Sequence, residues 1–333
     1  MSSRKWGVSM IEFKRTTIRT LSILGQRGAF GYALTEIAKK NDKIIALTAD
    51  LCTTSGLDRF KNVYPERVVN VGIAEQNMIG IAAGMSTLGY IPFGTTFANF
   101  ASLRSCEQMR HFMGYMKENI KIVGFGGGFA MGMFGITHYG IEDIASIRAI
   151  SAITILSPAD CLETAKSTIA ASQFKGPVYL RLTGVMNHPI VYKEDYDFEI
   201  GKAIPLKDGS DIAIFATGGM VHQSLNTAKQ LEGKGVSCKV VNVHTIMPID
   251  KKIIYEALDA KLIVTVEEHS IVGGLGSTIA EVLSELKDKP PQLMIGVSGE
   301  YKPAGSYEFM LEQYGLNENN ICKKILKKYT EVI

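Results

Sequence analysis

The chain has 333 residues, 46% of them hydrophobic, which is long enough for two compact α/β domains with full cores. A formal net charge of +3 spread along the chain, with a single Trp and no long basic run, disfavours nucleic acid or an anionic membrane as main partner and leaves phosphorylated small molecules open. Cys52, Cys106, Cys161, Cys238 and Cys322 are scattered without paired metal spacing, which suits a reducing, cytoplasmic setting, and no secretory apolar region or membrane-length run of about 18 apolar residues occurs.

Residues 1–16, rich in Ser, Lys and Arg, read as a loosely held arm. From Ala29, the spacing of Phe30, Ala33, Leu34, Ile37 and Ala38 predicts a helix with one apolar face. The apolar run 43–50 predicts a buried strand with Asp50 at its C-terminal edge, the edge at which open α/β sheets bind ligands. A helix follows near Glu75, then a strand near 91–95, a helix through 102–116, a strand at 120–123 and a Gly-rich loop. A helix near 142–149, a strand at 152–156, a helix at 159–171 and a strand at 178–180 complete the first unit, taken as residues 17–185.

Pro189, Lys193-Glu194-Asp195 and Pro205 break the pattern, so residues 186–207 read as a linker crossing the surface. A second unit, residues 208–333, alternates strands at 211–216, 238–243, 262–266 and 292–297 with helices, and ends in two helices. Both units are predicted to be doubly wound α/β domains with mainly parallel sheets.

The glycine clusters do not make a nucleotide site. Phe129 stands where a dinucleotide fingerprint beginning at Gly124 needs its third glycine, Gly273-Gly274-Leu275-Gly276 lacks the trailing glycine, and no Gly-Lys-Ser/Thr occurs. No His and Cys spacing approaches a zinc pattern.

The stretch Val71 to Gly80 sets one carboxylate, Glu75, among small and apolar residues in the first turn of its helix. A first-turn Glu can simply complement the helix dipole. No Lys or Arg lies between Val68 and Met85, so the segment offers no local ion partner. A carboxyl in apolar surroundings is pushed toward a raised pKa, from which it can donate a hydrogen bond to a nitrogen base.

Around Glu75, several blocks in one order closely resemble the transketolase family of thiamine-diphosphate enzymes. They are Ala49-Asp50, Gly72 to Gly80, Pro92 to Ala98, Gly135-Ile136-Thr137-His138 with Glu142 to Ala145, Ser157 to Asp160, and Thr245 to Asp250 followed by Glu267-Glu268-His269. The match runs from Arg27 to the C-terminus and implies a pyrimidine-binding domain followed by a transketolase C-terminal domain. In the family, the glutamate matching Glu75 hydrogen-bonds the aminopyrimidine nitrogen of thiamine diphosphate and favours the imino form that deprotonates the thiazolium carbon. The cofactor then serves as electron sink for a two-carbon unit taken from a ketose.

The resemblance carries further residues. Phe97 and Phe100 match aromatics around the aminopyrimidine, although a Phe pair by itself reads equally as core packing. Asp50 resembles a residue near the cofactor at the subunit interface, and otherwise reads as a loop or cap carboxylate. His138 matches a position facing the reacting carbons, where an imidazole donates to a developing oxyanion or shuttles a proton. Outside that context it reads as a structural histidine. His244 and His269 read as structural, and His111, His188 and His222 have no context that favours chemistry.

Two departures from the family are visible. No Gly-Asp-Gly with a following Asn-Asn is present, so the diphosphate domain and its divalent ion, Mg2+ in the family, are expected on a separate N-terminal partner subunit. A symmetric two-plus-two assembly is then implied. In the substrate region Arg27 matches a sugar-phosphate-binding arginine and Thr54 a hydroxyl position. Gly126, however, replaces a phosphate-binding histidine, Phe134 an aspartate that reads a substrate hydroxyl, and Gly184 another arginine. These changes predict a substrate other than the standard pentose phosphates. Competing readings are the β subunit of a 2-oxoacid dehydrogenase, a pyruvate-dependent carboligase or synthase, and a non-catalytic interaction subunit. The Gly-Ile-Ala-Glu-Gln-Asn block agrees with transketolases over the first, and intact Glu75 and Phe97 argue against the last.

Overall fold

A computed structural model describes residues 11–333. Residues 1–10 of the expected arm lie outside the described residues. Its remainder is docked rather than loose: Ile11 and Phe13 are buried, and helix α1 (Arg15–Ala38) begins well before the expected Ala29.

The first unit continues as β1 (Ile44–Thr48), α2 (Asp58–Val63), β2 (Val68–Asn70), α3 (Glu75–Thr87), β3 (Ile91–Phe97), α4 (Cys106–Gln108), β4 (Lys121–Gly127), α5 (Asp143–Arg148), β5 (Thr154–Leu156), α6 (Cys161–Gln173) and β6 (Val178–Thr183). These strands lie parallel in the order β5-β6-β4-β3-β1-β2. β4 and β6 are buried at every position, as parallel strands covered by helices on both faces are. The glycines expected as a loop after residue 123 instead prolong β4 to Gly127. They fit because β6 side chains lie against them: a Cβ on Gly124 would stand 2.3 Å from the Tyr179 hydroxyl.

The second unit contains β7 (Ile204–Lys207), β8 (Ile212–Ala216), α7 (Met220–Glu232), β9 (Cys238–Asn242), β10 (Thr245–Met247), α8 (Lys251–Tyr255), β11 (Leu262–Ser270), α9 (Leu275–Ser284), β12 (Gln292–Val297), α10 (Tyr307–Gln313) and α11 (Glu318–Val332). Its five-stranded sheet has the order β12-β11-β8-β9-β7, parallel except for β7. β7 thus forms a strand where the end of the linker was expected. β10 leaves its own unit and pairs antiparallel with β5, completing a seven-stranded first sheet.

The linker is also pinned along its course. Asp160 caps α6 by accepting from Glu163 N at 2.9 Å, and its second oxygen accepts from Val191 N and Tyr192 N, each at 2.9 Å. Glu163 accepts from Ala159 N at 2.6 Å, from the Tyr196 hydroxyl at 2.7 Å and from Asn242 Nδ2 of the second unit at 2.9 Å. The two units meet more centrally at Arg181, which is fully buried. Its Nε donates to Asp143 Oδ2 at 2.8 Å, and its Nη2 donates to Gly140 O at 2.7 Å and to Glu268 O at 3.0 Å. The Tyr179 hydroxyl donates to the same Asp143 oxygen at 2.8 Å. Glu268 accepts from Phe129 N at 2.6 Å and from the Tyr307 hydroxyl at 2.8 Å, and Glu267 accepts from Leu275 N and Gly276 N at the start of α9. His269 accepts at Nε2 from Ala145 N, which agrees with its structural reading.

Breaking a buried ion pair strands the partner's charge, so Asp143→Ala is expected to lower the unfolding free energy by about 3–5 kcal/mol in urea titrations. A loss no larger than that of a surface substitution would overturn this. Burial also pushes Glu267 and Glu268 up to about 7 from the usual 4.5, and Asp160 up to about 6 from 3.8. Acids raised in this way hold their extra proton in the folded chain, so their contribution is complete below the unfolded values and is lost as pH rises through the folded ones. The urea midpoint should therefore fall between about pH 5 and pH 8, and Glu268→Gln should fall less over that interval. Equal falls would exclude Glu268 as a source.

Candidate active site

From β1 the chain passes to β2 on one side and returns as β3 on the other, so a switch point lies between β1 and β3. Crevices at the carboxyl ends of strands beside such a point are where open α/β sheets bind ligands. Asp50 follows β1, Asn70 ends β2, Phe97 ends β3 and Gly126 is the next-to-last residue of β4. Asp50 is exposed, with φ at 61°, and is tied to Asn70. Its N–H donates to Asn70 Oδ1 at 3.0 Å, and Asn70 Nδ2 donates to Asp50 Oδ1 at 2.9 Å. The same Asn70 oxygen accepts from Gly72 N at 3.0 Å, which fixes the turn leading into α3.

Glu75 opens α3 and is only 2% exposed. Met78, Ile79, Ala82 and Ala83 bury the inner face of that helix and hold its first turn against the sheet edge. The carboxylate accepts from Thr96 Oγ1 at 3.2 Å on one oxygen and from Arg104 Nη1 at 2.9 Å on the other. The segment itself offers no ion partner, and the cation arrives from 29 residues downstream. Phe100 and Arg104 bound a π-helical turn (Phe100–Arg104), and the guanidinium lies 3.8 Å from the Phe100 ring centroid. Such wide turns recur at functional sites. Gln76 Nε2 donates to Arg104 O at 3.1 Å and steadies the turn from α3.

The aromatic residues form one continuous wall. Phe97 and Phe100 meet edge to face at 5.4 Å, and the His138 imidazole lies 5.2 Å from Phe97, 5.3 Å from Phe100 and 5.3 Å from Phe134. Asn99 Nδ2 donates to Thr137 O, and Thr137 Oγ1 stands 2.9 Å from His138 Nδ1. Burial first, and then the charge of Arg104, hold His138 below the usual 6.5, so its imidazole is neutral at neutral pH.

Glu75, Phe97, Phe100, His138 and Phe134 are thereby joined through successive contacts, with Gly126 against Phe97. A Cβ on Gly126, whose φ is 71°, would stand 2.9 Å from Met131 Cγ and 3.3 Å from Phe97 Cδ1. Gly184 has φ at 79°, and a Cβ there would stand 2.3 Å from His188 Cδ2. Arg27 and Thr54 form a separate pair, Arg27 Nη1 donating to Thr54 O at 2.7 Å. Sequence reasoning missed Arg104, Thr96 and Met131. Thr96 lies next to Phe97 inside the Pro92 to Ala98 block, where only Phe97 was given a role, whereas the signal for Arg104 was its one-turn spacing from Phe100.

This chain matches the pyrimidine-binding domain model of transketolase over residues 24–184 and the transketolase C-terminal domain model over residues 201–321. It is 39% identical over 306 residues to a putative transketolase C-terminal section of Methanocaldococcus jannaschii, covering 91% of this chain and 96% of that one. It is 38% identical over 293 residues to the 6-deoxy-6-sulfo-D-fructose transketolase subunit SqwH of Clostridium sp. (strain MSTE9), covering 87% and 90%. Among solved structures, a split gene transketolase, described as an inactive beta4 tetramer, superposes with a TM-score of 0.82 at 39% identity, covering 92% of this chain and 99% of that one. The chain belongs to the transketolase family, as the subunit of a split enzyme that carries the pyrimidine-binding and C-terminal domains.

Proposed function

We propose that this subunit, paired with a separate diphosphate-binding subunit in a two-plus-two assembly, transfers a two-carbon ketol unit from a ketose to an aldehyde with thiamine diphosphate and a divalent ion. The observation that carries this reading is Glu75, a buried carboxylate at a helix start, beside the wall of Phe97 and Phe100 at the sheet's switch point. That set of groups fits the aminopyrimidine half of the cofactor: a carboxyl group that can share a proton with a ring nitrogen and aromatic faces for a flat ring. The relative solved as a tetramer of one kind of subunit is described as inactive, which supports the need for that partner.

When bound, thiamine diphosphate supplies a nucleophilic carbon and an electron sink for the transferred unit. Glu75 holds the pyrimidine ring nitrogen through a hydrogen bond, oriented by Thr96 and by Arg104. Phe97 and Phe100 seat the ring and keep water from the carboxylate. His138, neutral and turned by Thr137, moves a proton at the substrate oxygens. Asp50, locked to Asn70, fixes the strand ends at the rim. Arg27 and Thr54 are assigned to substrate contact, with Gly126 and Phe134 shaping its far wall. The division into residues 17–185, a connector from residue 186 that ends where β7 joins the second sheet, and a second unit running on to residue 333, and a cytoplasmic location suited to five free cysteines, belong to the same reading. The relative that acts on a sulfo sugar supports a substrate outside the pentose phosphates.

The test is copurification with the partner, followed by cofactor binding and ketol transfer across a panel of donors and aldehydes. Glu75→Ala should leave the assembly intact and lower transfer by at least about 100-fold. An unchanged rate, or activity on 2-oxoacids alone, would overturn the assignment. His138→Ala should lower kcat by about 100-fold while cofactor affinity, read by calorimetry, stays as in the wild type. Loss of cofactor affinity in that variant would instead make His138 a cofactor ligand.

A further inference from the structure

The loop that carries His138 is anchored at its two ends, where Gly128 and Gly140 bond through their backbones and Phe129 N donates to Glu268. Its middle is less firmly packed, since Met133, Phe134 and Ile136 are all exposed. Near the imidazole, His138 N donates to Gly135 O at 2.9 Å, a bond internal to the loop that would move with it. The other end of the same peptide unit is held from outside: Thr137 O accepts from Asn99 Nδ2. A peptide unit is planar, so a bond at each end fixes the direction in which the chain enters His138.

Asn99 makes this bond in place of a more ordinary one. It stands at the N-cap of the π-helical turn Phe100–Arg104, where an Asn oxygen usually accepts from the backbone N–H groups of the first turn. Here it makes no such cap. The side chain, only 9% exposed, instead reaches a residue 38 positions away. Its Oδ1 is buried without a hydrogen-bond partner among the described residues. A flipped amide would set that oxygen against the Thr137 carbonyl, so the donor side must face the loop. A buried acceptor left unpaired is destabilising, and stability alone therefore does not select this arrangement.

Its place in the chain gives the bond a different use. Asn99 lies between Phe97 and Phe100, the two wall residues whose rings meet the His138 imidazole. Ring contacts at 5.2 and 5.3 Å leave the imidazole free to slide, whereas a hydrogen bond is directional. Resting on the reading of His138 as the group that moves a proton at the substrate, we infer that Asn99 is a positioning residue for it. Its bond to Thr137 O sets how the imidazole faces Phe97 and Phe100.

The experiment uses the enzyme assembled with its partner, thiamine diphosphate and magnesium, and compares Asn99→Leu, His138→Ala and the double variant. Leu has the branching of Asn without its donor. It removes the unpaired oxygen and strands the Thr137 carbonyl, opposing effects that should leave the urea midpoint nearly unchanged. In Asn99→Leu, kcat should fall about tenfold or more, while KM and the cofactor affinity read by calorimetry stay within about twofold of the wild type. In the His138→Ala background the same substitution should lower kcat by less than about twofold, because residues that act as a unit are not additive. Asn99→Asp, which turns a second oxygen on the Thr137 carbonyl, should lower kcat at least as far and serves where the Leu variant folds poorly. A wild-type kcat in both Asn99 variants, or an equal fall with and without His138, overturns the inference while the transketolase reading stands. A wild-type kcat in His138→Ala overturns the assignment of His138 and the inference together.

Discussion

Arg181 is the fixed point of this molecule. A guanidinium removed from water needs its charge matched and its donors occupied, and here Asp143 supplies the charge while the Gly140 and Glu268 carbonyls take the rest. Those partners come from α5, from the end of the loop that carries His138, and from β11 of the other unit. The opposite end of that loop is held as well: Phe129 N donates to Glu268, and Gly128 and Gly140 pair through their backbones. His138 therefore rides on a segment clamped at both ends by one buried network. The position of His138 is thus set by a buried ion pair within the first unit and by the hydrogen bond from Arg181 to the Glu268 carbonyl of the second.

The site shows the same logic on a smaller scale. A buried carboxylate has to be held by something, and Thr96 and Arg104 hold Glu75. Arg104 also lies on Phe100 and lowers the proton affinity of His138, so one cation binds the carboxylate, packs on the aromatic wall and acts through its charge on the imidazole. A buried carboxylate, an aromatic wall and an imidazole are linked here through a single side chain at the end of a π turn.

What the sequence made legible follows from the range of the interactions concerned. The helix at Glu75 was readable because Met78, Ile79, Ala82 and Ala83 repeat at helical spacing within one element. The alternation of strands and helices gave the two parallel sheets for the same reason. Arg104 was hidden because its pairing with Glu75 spans two elements and depends on how a π turn points its last residue. β7 and β10 are short and lie among prolines, so no local period marks them; only the pairing with β9 and β5 makes them strands. The glycines of β4 looked like a loop because glycine weakens an isolated strand, and what reverses that preference is the bulk of Tyr179 and Arg181 next to them.

The pairing of β10 with β5 makes the covalent order of the domains differ from their physical boundary. A cut in the connector would not yield two self-contained halves. The first would lose its outermost strand and carry β5 as a bare edge, with unpaired backbone groups that recruit strands from other molecules. The second would keep β10 with nothing to pair against. The domains are thus obliged to fold and persist together, although each family model matches its own stretch of chain as if it were a separate module.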